Sequence, residues 1–271
     1  MEKIVVLLDS ERPDHSTIDF GCYLAELTGS KLLGILMKKA VVELAPPVMY
    51  AGSDYKKKGE PAAINTDRSV MYFLEESRKR GIRADVLVEK AGPARAAIFE
   101  SRFADLLVVS ANLSFLGDTD ITPSFFVKHL LAESECPVVL APQSFDHIQQ
   151  IVFCYDGNAS SLFAIKQFTY LFPQFKSTRI LVLEIGESRG KSEDIDLSRT
   201  IEWLKAHYNH VDFRLLQGDV KDELFTYFLN KPHHFVVMGA FGRSVLSTLF
   251  KKSAAEQLMR TIDLPLFISH H

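Results

Sequence analysis

Residues 4–9 read Ile-Val-Val-Leu-Leu-Asp, and residues 151–156 repeat the pattern as Ile-Val-Phe-Cys-Tyr-Asp. A second pair of apolar runs matches in the same way, Asp-Leu-Leu-Val-Val-Ser at 105–110 and His-Phe-Val-Val-Met-Gly at 234–239. A repeat of roughly 145 residues has the size of a domain and far exceeds the period of a solenoid. The sequence therefore predicts two copies of one fold.

The predicted copies are a first domain over residues 1–144 and a second over 148–271, with a short connector at 142–147. In each copy, apolar β-branched runs alternate with helical patterns, which is typical of parallel strands covered by helices. This predicts an α/β fold of two tandem Rossmann-like domains, each an open five-stranded parallel sheet with helices on both faces. The predicted strands are 3–8, 31–37, 83–89, 105–110, 137–141, 149–155, 178–185, 211–216, 234–239 and 264–269, and the predicted helices are 15–28, 66–80, 94–103, 124–134, 159–172, 195–208, 220–230 and 252–261.

Composition excludes several partners. The 31 Lys and Arg against 34 Asp and Glu give a net charge of −3, so no basic field is expected to recruit nucleic acid or an acidic membrane. No apolar run reaches the roughly 18 residues of a membrane span, and the N-terminus lacks a signal-peptide pattern. We therefore expect a cytoplasmic protein. The three cysteines have no CxxC spacing and lie in apolar contexts, which predicts buried structural thiols.

Two irregular stretches interrupt the pattern, residues 38–65 and residues 186–194. The first contains Pro46-Pro47 and a Lys-Lys-Lys-Gly run, and a solvated loop is the simpler interpretation. A lid or docking element is the alternative, because long loops in compact domains are often functional.

A glycine pair follows the fourth strand of the second repeat. Gly239 and Gly242 would let the backbone pass close to a ligand, and Ser253 would begin a helix whose N-terminus favours phosphate. The spacing suits a nucleotide, but a tight turn between strand and helix can also require glycine. By itself the glycine pair is compatible with both interpretations, a nucleotide site and a tight turn.

The whole chain resembles the universal stress protein family, specifically its tandem-domain members with an adenine nucleotide alpha hydrolase-like fold. The resemblance rests on the strand-end aspartates Asp9 and Asp156, on Gly92 and Gly218 after the third strands, and on the block at 238–244. It implies ATP or another adenine nucleotide, with Mg²⁺, as a ligand of the second domain only, because ATP-binding members carry G-x2-G-x9-G-[ST]. The implied nucleotide-binding residues are Asp156, Gly157, Ile185, Gly239, Gly242, Arg243, Lys252 and Ser253.

Lys252 stands where that motif has its third glycine. Its ammonium could neutralise a phosphate, or its side chain could fill the phosphate site if the position needs a positive φ. The second outcome, weakened or absent binding, is slightly favoured.

The first repeat departs further from the motif. Ser110-Ala111-Asn112-Leu113 replaces the glycine pair, and the Leu113 side chain is expected to obstruct a close backbone approach. Asp118 and Asp120 would repel phosphate, so the first repeat is expected to have lost its phosphate cradle, the loop that would surround the phosphates. Pro123 is predicted at the first position of a helix with Thr122 as its N-cap.

No nucleophile elbow, P-loop or metal-type His and Cys spacing occurs, so neither catalytic nor metal-binding residues are predicted. His207, His210, His233 and His234 are interpreted as solvated or capping residues. The leading hypothesis is a stress-response nucleotide sensor or regulatory protein that is not an enzyme. The alternatives are a nucleotide-independent interaction module, with Leu246, Leu249 and Phe250 facing a protein partner, and a weak nucleotide-hydrolysing enzyme.

The last strand of each repeat, 137–141 and 264–269, would leave an exposed apolar edge. We expect these two strands to pair with each other. One tandem chain would then imitate a dimer of single-domain relatives, and a homodimer of whole chains is a further expectation from the resemblance.

Overall fold

The computed structural model describes residues 1–38, 61–89, 92–115, 122–186, 191–239 and 262–269. Its ten strands are β1 (Lys3–Asp9), β2 (Lys31–Met37), β3 (Ala84–Glu89), β4 (Leu106–Ser110), β5 (Val138–Ala141), β6 (Gln150–Cys154), β7 (Arg179–Ile185), β8 (His210–Leu216), β9 (His234–Gly239) and β10 (Leu266–Ser269). The helices described are α1 (His15–Thr28), α2 (Pro61–Lys79), α3 (Pro93–Ser101), α4 (Phe125–Glu133), α5 (Ala159–Leu171), α6 (Lys191–His207) and α7 (Val220–Phe228), with a 3-10 turn at Pro173–Ser177.

All ten strands form one open sheet in the order β3-β2-β1-β4-β5-β10-β9-β6-β7-β8. The first five and the last five each repeat the same parallel, doubly wound order. This confirms the predicted α/β class and the internal repeat. The domain limits at 144 and 148 stay a prediction, because the sheet is continuous across them.

The two halves meet at the edge strands. β5 and β10 pair antiparallel, with Leu140 opposite Leu266, Val139 opposite Phe267 and Val138 opposite Ile268. The expected pairing of these strands is therefore confirmed. It hides two apolar edges that would otherwise be open to other chains.

The sheet separates two apolar cores, and each core extends over both halves. Alternate residues of β1 point to opposite faces, as the period of a strand requires. Val6 belongs to the core under α1, α2, α5 and α6, whereas Val5 belongs to the core under α3, α4 and α7. On the first face, the aromatic rings of Phe20 and Phe235 join the halves, with centroids 6.0 Å apart.

The connector between the halves is anchored over residues 143–145. The Phe145 ring packs edge-on against Phe20, with centroids 4.9 Å apart. Asp263, which precedes β10, accepts hydrogen bonds from the backbone N–H of Gln143 and from the N–H and hydroxyl of Ser144. The connector is thus held by side chains of both halves.

Two predicted helix starts are wrong. α2 begins at Pro61 instead of residue 66, and α6 begins at Lys191 instead of residue 195. The apolar period begins later than the helix in both, whereas proline and acidic residues are favourable in a first turn. Residues 61–65 and 191–194 are therefore helical, and the rest of the predicted loops, 39–60 and 187–190, lies outside the described residues, as does the predicted helix 252–261. No helix in the described ranges is long and apolar enough to cross a bilayer.

Candidate functional site

The strand order reverses between β6 and β9 in the second half, and between β1 and β4 in the first. In open parallel α/β sheets, ligands bind in the crevice beyond the carboxyl ends of the strands at such a reversal. The architecture thus places one candidate crevice in each half.

In the second half, three predicted site residues come to one edge of the sheet. Cys154 is opposite Leu183 in the β6–β7 ladder, and Phe153 is opposite Val237 in the β6–β9 ladder. Extending these registers to the strand ends brings Asp156, Ile185 and Gly239 to nearly the same level. Their common position is the floor of the crevice.

Asp156 shapes the turn that leads into α5. Its Oδ1 accepts a hydrogen bond from the Asn158 backbone N–H at 3.0 Å, and its Oδ2 accepts one from the Asn158 side-chain amide at 3.0 Å. Gly157 between them has φ +78°, a left-handed conformation that glycine adopts without strain. Aspartate and glycine are therefore both required by the turn itself.

Gly239 is the point where α5 rests on β9. A Cβ atom at this position would lie 2.6 Å from the carbonyl carbon of Ser160 and 2.7 Å from both the Ser160 oxygen and the Ser161 nitrogen. These are backbone atoms of the first turn of α5, so no side-chain rotation relieves the contact. Glycine allows the helix N-terminus to sit directly over the crevice.

A groove of about 580 Å³ opens beside this turn, between α5 and α6. Its walls include Asn158, the exposed cations Lys166 and Arg199, the exposed Asp196 and the half-buried Trp203. The charged groups carry a small positive excess, which favours an anionic ligand. None of them was a predicted site residue, because their positions on two helix faces carry no recognisable motif.

The other predicted site residues are Gly242, Arg243, Lys252 and Ser253, and they lie outside the described residues. The same holds for Leu246, Leu249 and Phe250 of the interaction hypothesis, for His270 and His271, and for Asp118 and Asp120 of the first repeat. The role of Lys252 thus stays a prediction.

The first crevice is built differently. Leu113 is buried in the core, and its carbonyl accepts a hydrogen bond from the Ser124 hydroxyl. Ser124 also caps α4, since its Oγ accepts from the Val127 N–H at 3.1 Å. The prediction of Thr122 as N-cap and Pro123 as first helical residue is therefore wrong: Thr122 donates its hydroxyl hydrogen bond to Asn112 instead.

The thiols show the properties expected of structural cysteines. Cys22 and Cys136 are buried and Cys154 is half-buried, and all three are free. Burial raises the pKa of Cys22, and it raises the pKa of Cys136 and of Cys154 to about 12. Thiolate nucleophiles are therefore disfavoured at all three positions.

Sequence reasoning missed one cluster. The structure brings Asp146 and His147 of the connector next to His233, with one potential ligand atom of each within 4.8 Å of the others. His233 lies 86 positions after His147 along the chain, so the sequence gives no local sign that the two residues are close in space.

Taken together, the fold and crevice define an open, mostly parallel α/β protein with a candidate site where the strand order reverses. No family model matches the chain. A universal stress protein of Synechocystis is 26% identical over 160 residues, which is 56% of this chain and 55% of the relative. The chain thus spans about half the length of this curated relative.

Among solved structures, a universal stress protein from Archaeoglobus fulgidus aligns with a TM-score of 0.62 at 15% identity, over 98% of both chains. The cytoplasmic domain of a prokaryotic cation chloride cotransporter aligns with a TM-score of 0.51 at 10% identity, over 98% of this chain and 94% of that one. At such identities the likeness concerns the fold alone. The chain is therefore similar in sequence to a universal stress protein and shares the fold of a solved one, and its 271 residues are consistent with the tandem arrangement.

Proposed function

We propose that the second half binds an adenine nucleotide at the carboxyl ends of β6, β7 and β9. In this proposal the chain is a cytoplasmic stress-response sensor or regulatory protein, and binding rather than turnover is its activity. The nucleotide would be ATP with Mg²⁺, and the first half would lack a phosphate cradle.

The convergence of Asp156, Ile185 and Gly239 at the reversal of the sheet carries this proposal. The Asp156 carboxylate is exposed and accepts two hydrogen bonds from Asn158. A carboxylate has about four lone-pair positions, so it keeps acceptor capacity for ribose hydroxyls. An acidic side chain at such an edge performs this role in dinucleotide-binding folds.

The entrance of α5 provides the second support. Its cap residue Asn158 makes no side-chain hydrogen bond to the first turn, and Gly239 keeps that turn close to β9. The positive end of a helix dipole then faces the crevice, where it favours phosphate. Gly242, Arg243, Lys252 and Ser253 belong to the same proposal through the family motif.

A titration of nucleotide-free protein with ATP and Mg²⁺ tests the proposal. We expect saturation at one ATP per chain, and a loss of about tenfold in affinity for Asp156→Asn, the effect of removing one charge-assisted hydrogen bond. Asp9→Asn is the matched control. Asp9 also ends a central strand and also accepts a turn hydrogen bond, from the Glu11 N–H at 2.8 Å.

The control separates binding from folding, because both substitutions perturb similar turns. Equal affinities for Asp156→Asn and wild type would contradict the proposed site. If neither wild type nor Lys252→Gly binds ATP, nucleotide binding by this chain is contradicted. Phosphate release above background would favour the third hypothesis, a weak hydrolase.

The second candidate is a nucleotide-independent interaction module. It is favoured by a specific observation: the turn hydrogen bonds explain Asp156, and the packing of α5 explains Gly239, without any ligand. Binding that appears only in Lys252→Gly would support this candidate, because it would show a crevice closed by the lysine.

A further inference from the structure

Asp146, His147 and His233 form a compact group on the surface where the connector passes the start of β9. His147 Nδ1 lies 2.8 Å from Asp146 Oδ2. The His147 and His233 rings stack at 4.1 Å between centroids, with 23° between their planes. The side chains of His147 and Asp146 are 48% and 79% exposed, so the group is open to ions from solution.

Contacts made outside the three side chains hold this group in place. The Gln149 N–H donates to the His233 carbonyl at 2.9 Å, which fixes the connector beside the start of β9. On the other side, Phe145 is anchored to Phe20 and to Tyr23, with ring centroids 4.9 and 4.6 Å apart. Asp146 and His147 therefore lie between two fixed points, which lowers the entropy cost of bringing the three side chains together.

We propose that Asp146, His147 and His233 bind one Zn²⁺ ion, with water in the remaining position. For this the His233 ring turns out of its stack on His147, so that a ring nitrogen of each histidine points at the ion. Two imidazoles and a carboxylate are a ligand set that Zn²⁺ accepts, and three protein ligands with an open fourth position are typical of accessible zinc sites. The chain offers no thiolate here, so the site is expected to bind less tightly than a closed structural zinc site.

The surroundings of His147 match the needs of a metal ligand. Gln149 Nε2 lies 2.8 Å from His147 Nε2. When Zn²⁺ occupies Nδ1, the ring proton moves to Nε2, and a turn of the Gln149 amide presents its oxygen to that N–H. A ligand histidine that donates its second N–H to such an acceptor is oriented by it. The His147 ring thus stays neutral, and Zn²⁺ occupies the position at Nδ1 that faces Asp146.

The site would tie the connector to the second half. Asp146 and His147 belong to the connector, whereas His233 leads into a central strand of the second half. Occupancy would therefore restrict motion of the connector at its second end. This role is independent of a nucleotide in the crevice.

Zn²⁺ binding to the full chain tests the proposal by competition with a chromophoric chelator. All proteins carry His270→Ser and His271→Ser, because that adjacent pair of imidazoles is itself a potential metal ligand. We expect one Zn²⁺ per chain and at least a tenfold loss of affinity in His233→Ala and in Asp146→Asn. His210→Ala, at an exposed histidine on β8, is expected to bind like the parent protein.

Two further measurements keep the result decisive. Co²⁺ in place of Zn²⁺ should give an intense visible spectrum typical of four-coordinate nitrogen and oxygen ligation, and His147→Ala should remove it. Zn²⁺ should raise the melting temperature of the parent protein but not of His233→Ala. The absence of Zn²⁺ binding, or equal affinity in the parent protein, His233→Ala and Asp146→Asn, would overturn the proposal and leave a hydrogen-bonded surface cluster.

Discussion

Replacing Gly239 by alanine is expected to destabilise the protein strongly, although it adds one methyl group. That methyl would lie 2.6 Å from the Ser160 carbonyl carbon. Nonbonded carbons are comfortable at about 3.5 Å or more, so the first turn of α5 would have to move by roughly 0.9 Å. Overpacking of this kind costs about 1–3 kcal/mol. Because the opposing atoms are backbone, we expect about 3 kcal/mol, the upper end of that range.

Two other glycines calibrate the measurement. Gly186→Ala meets nothing within 4 Å, and it should change the free energy of unfolding by less than about 1 kcal/mol. Gly157→Ala also meets nothing, but its φ of +78° should cost about 1–2 kcal/mol in strain. Urea unfolding of the three variants and wild type, at equal slopes, gives the differences in free energy.

The order of the three effects is the decisive result. A Gly239→Ala protein as stable as Gly186→Ala would refute the close packing of α5 on β9. A variant that is destabilised but binds ATP normally would show that Gly239 acts through packing alone. Loss of both properties would connect the position of α5 to the nucleotide site.

Three further predictions concern buried groups and the connector. At pH 8 the thiols of the native protein should react very slowly with a thiol-specific chromogenic reagent, because burial raises the pKa of Cys136 and Cys154 to about 12. In guanidinium all three thiols should react at once. A rapid reaction of the native protein would contradict this burial. Tyr208→Phe removes the hydroxyl that donates to Thr169 Oγ1 at 3.0 Å, and it should cost about 1 kcal/mol in urea unfolding. Burial also raises the pKa of Tyr208 to about 12, above its value of about 10 in the unfolded chain. The stability that this neutral phenol contributes is therefore complete below about pH 10 and is lost as the pH rises towards 12. Ultraviolet titration of wild type and of the variant would follow the ionisation. Asp263→Ala removes the acceptor that holds the connector, and it should cost about 1–2 kcal/mol, whereas an unchanged midpoint would show that the Phe145 contact suffices.

The sheet was predictable because its strands are buried on both faces. Runs such as Leu106-Leu107-Val108-Val109 have no polar side to misplace, and all ten strands were predicted within two residues at either end. Helix starts depend on polar capping instead, where several neighbouring residues can serve. Thr122 was predicted as the cap of α4, whereas Ser124 caps the helix in the structure and also donates to the Leu113 carbonyl, a tertiary contact that the local sequence does not show.

The site was predictable only where a strand end fixed its position. Asp156 and Gly239 follow directly from buried strands, so their common edge could be inferred from a parallel sheet. The groove cations Lys166 and Arg199 lie on two different helices, and no periodic pattern aligns one helix with the other. The Asp146–His147–His233 group required the β6–β9 pairing before its members met.

The two crevices differ in a way that accounts for glycine at the strand end in one half and serine in the other. Only Gly157 and Asn158 separate Asp156 from α5, so this helix begins close to the sheet and its first turn must pass over β9. In the first half, the longer segment 10–14 separates Asp9 from α1, and Ser110 occupies the position equivalent to Gly239. A longer turn gives the helix more freedom in its approach, and a side chain at the strand end is then tolerated. The short turn and Gly239 therefore act together, because both are needed to hold the N-terminus of α5 over the crevice. This coupling favours the second half as the place where an anionic ligand would bind.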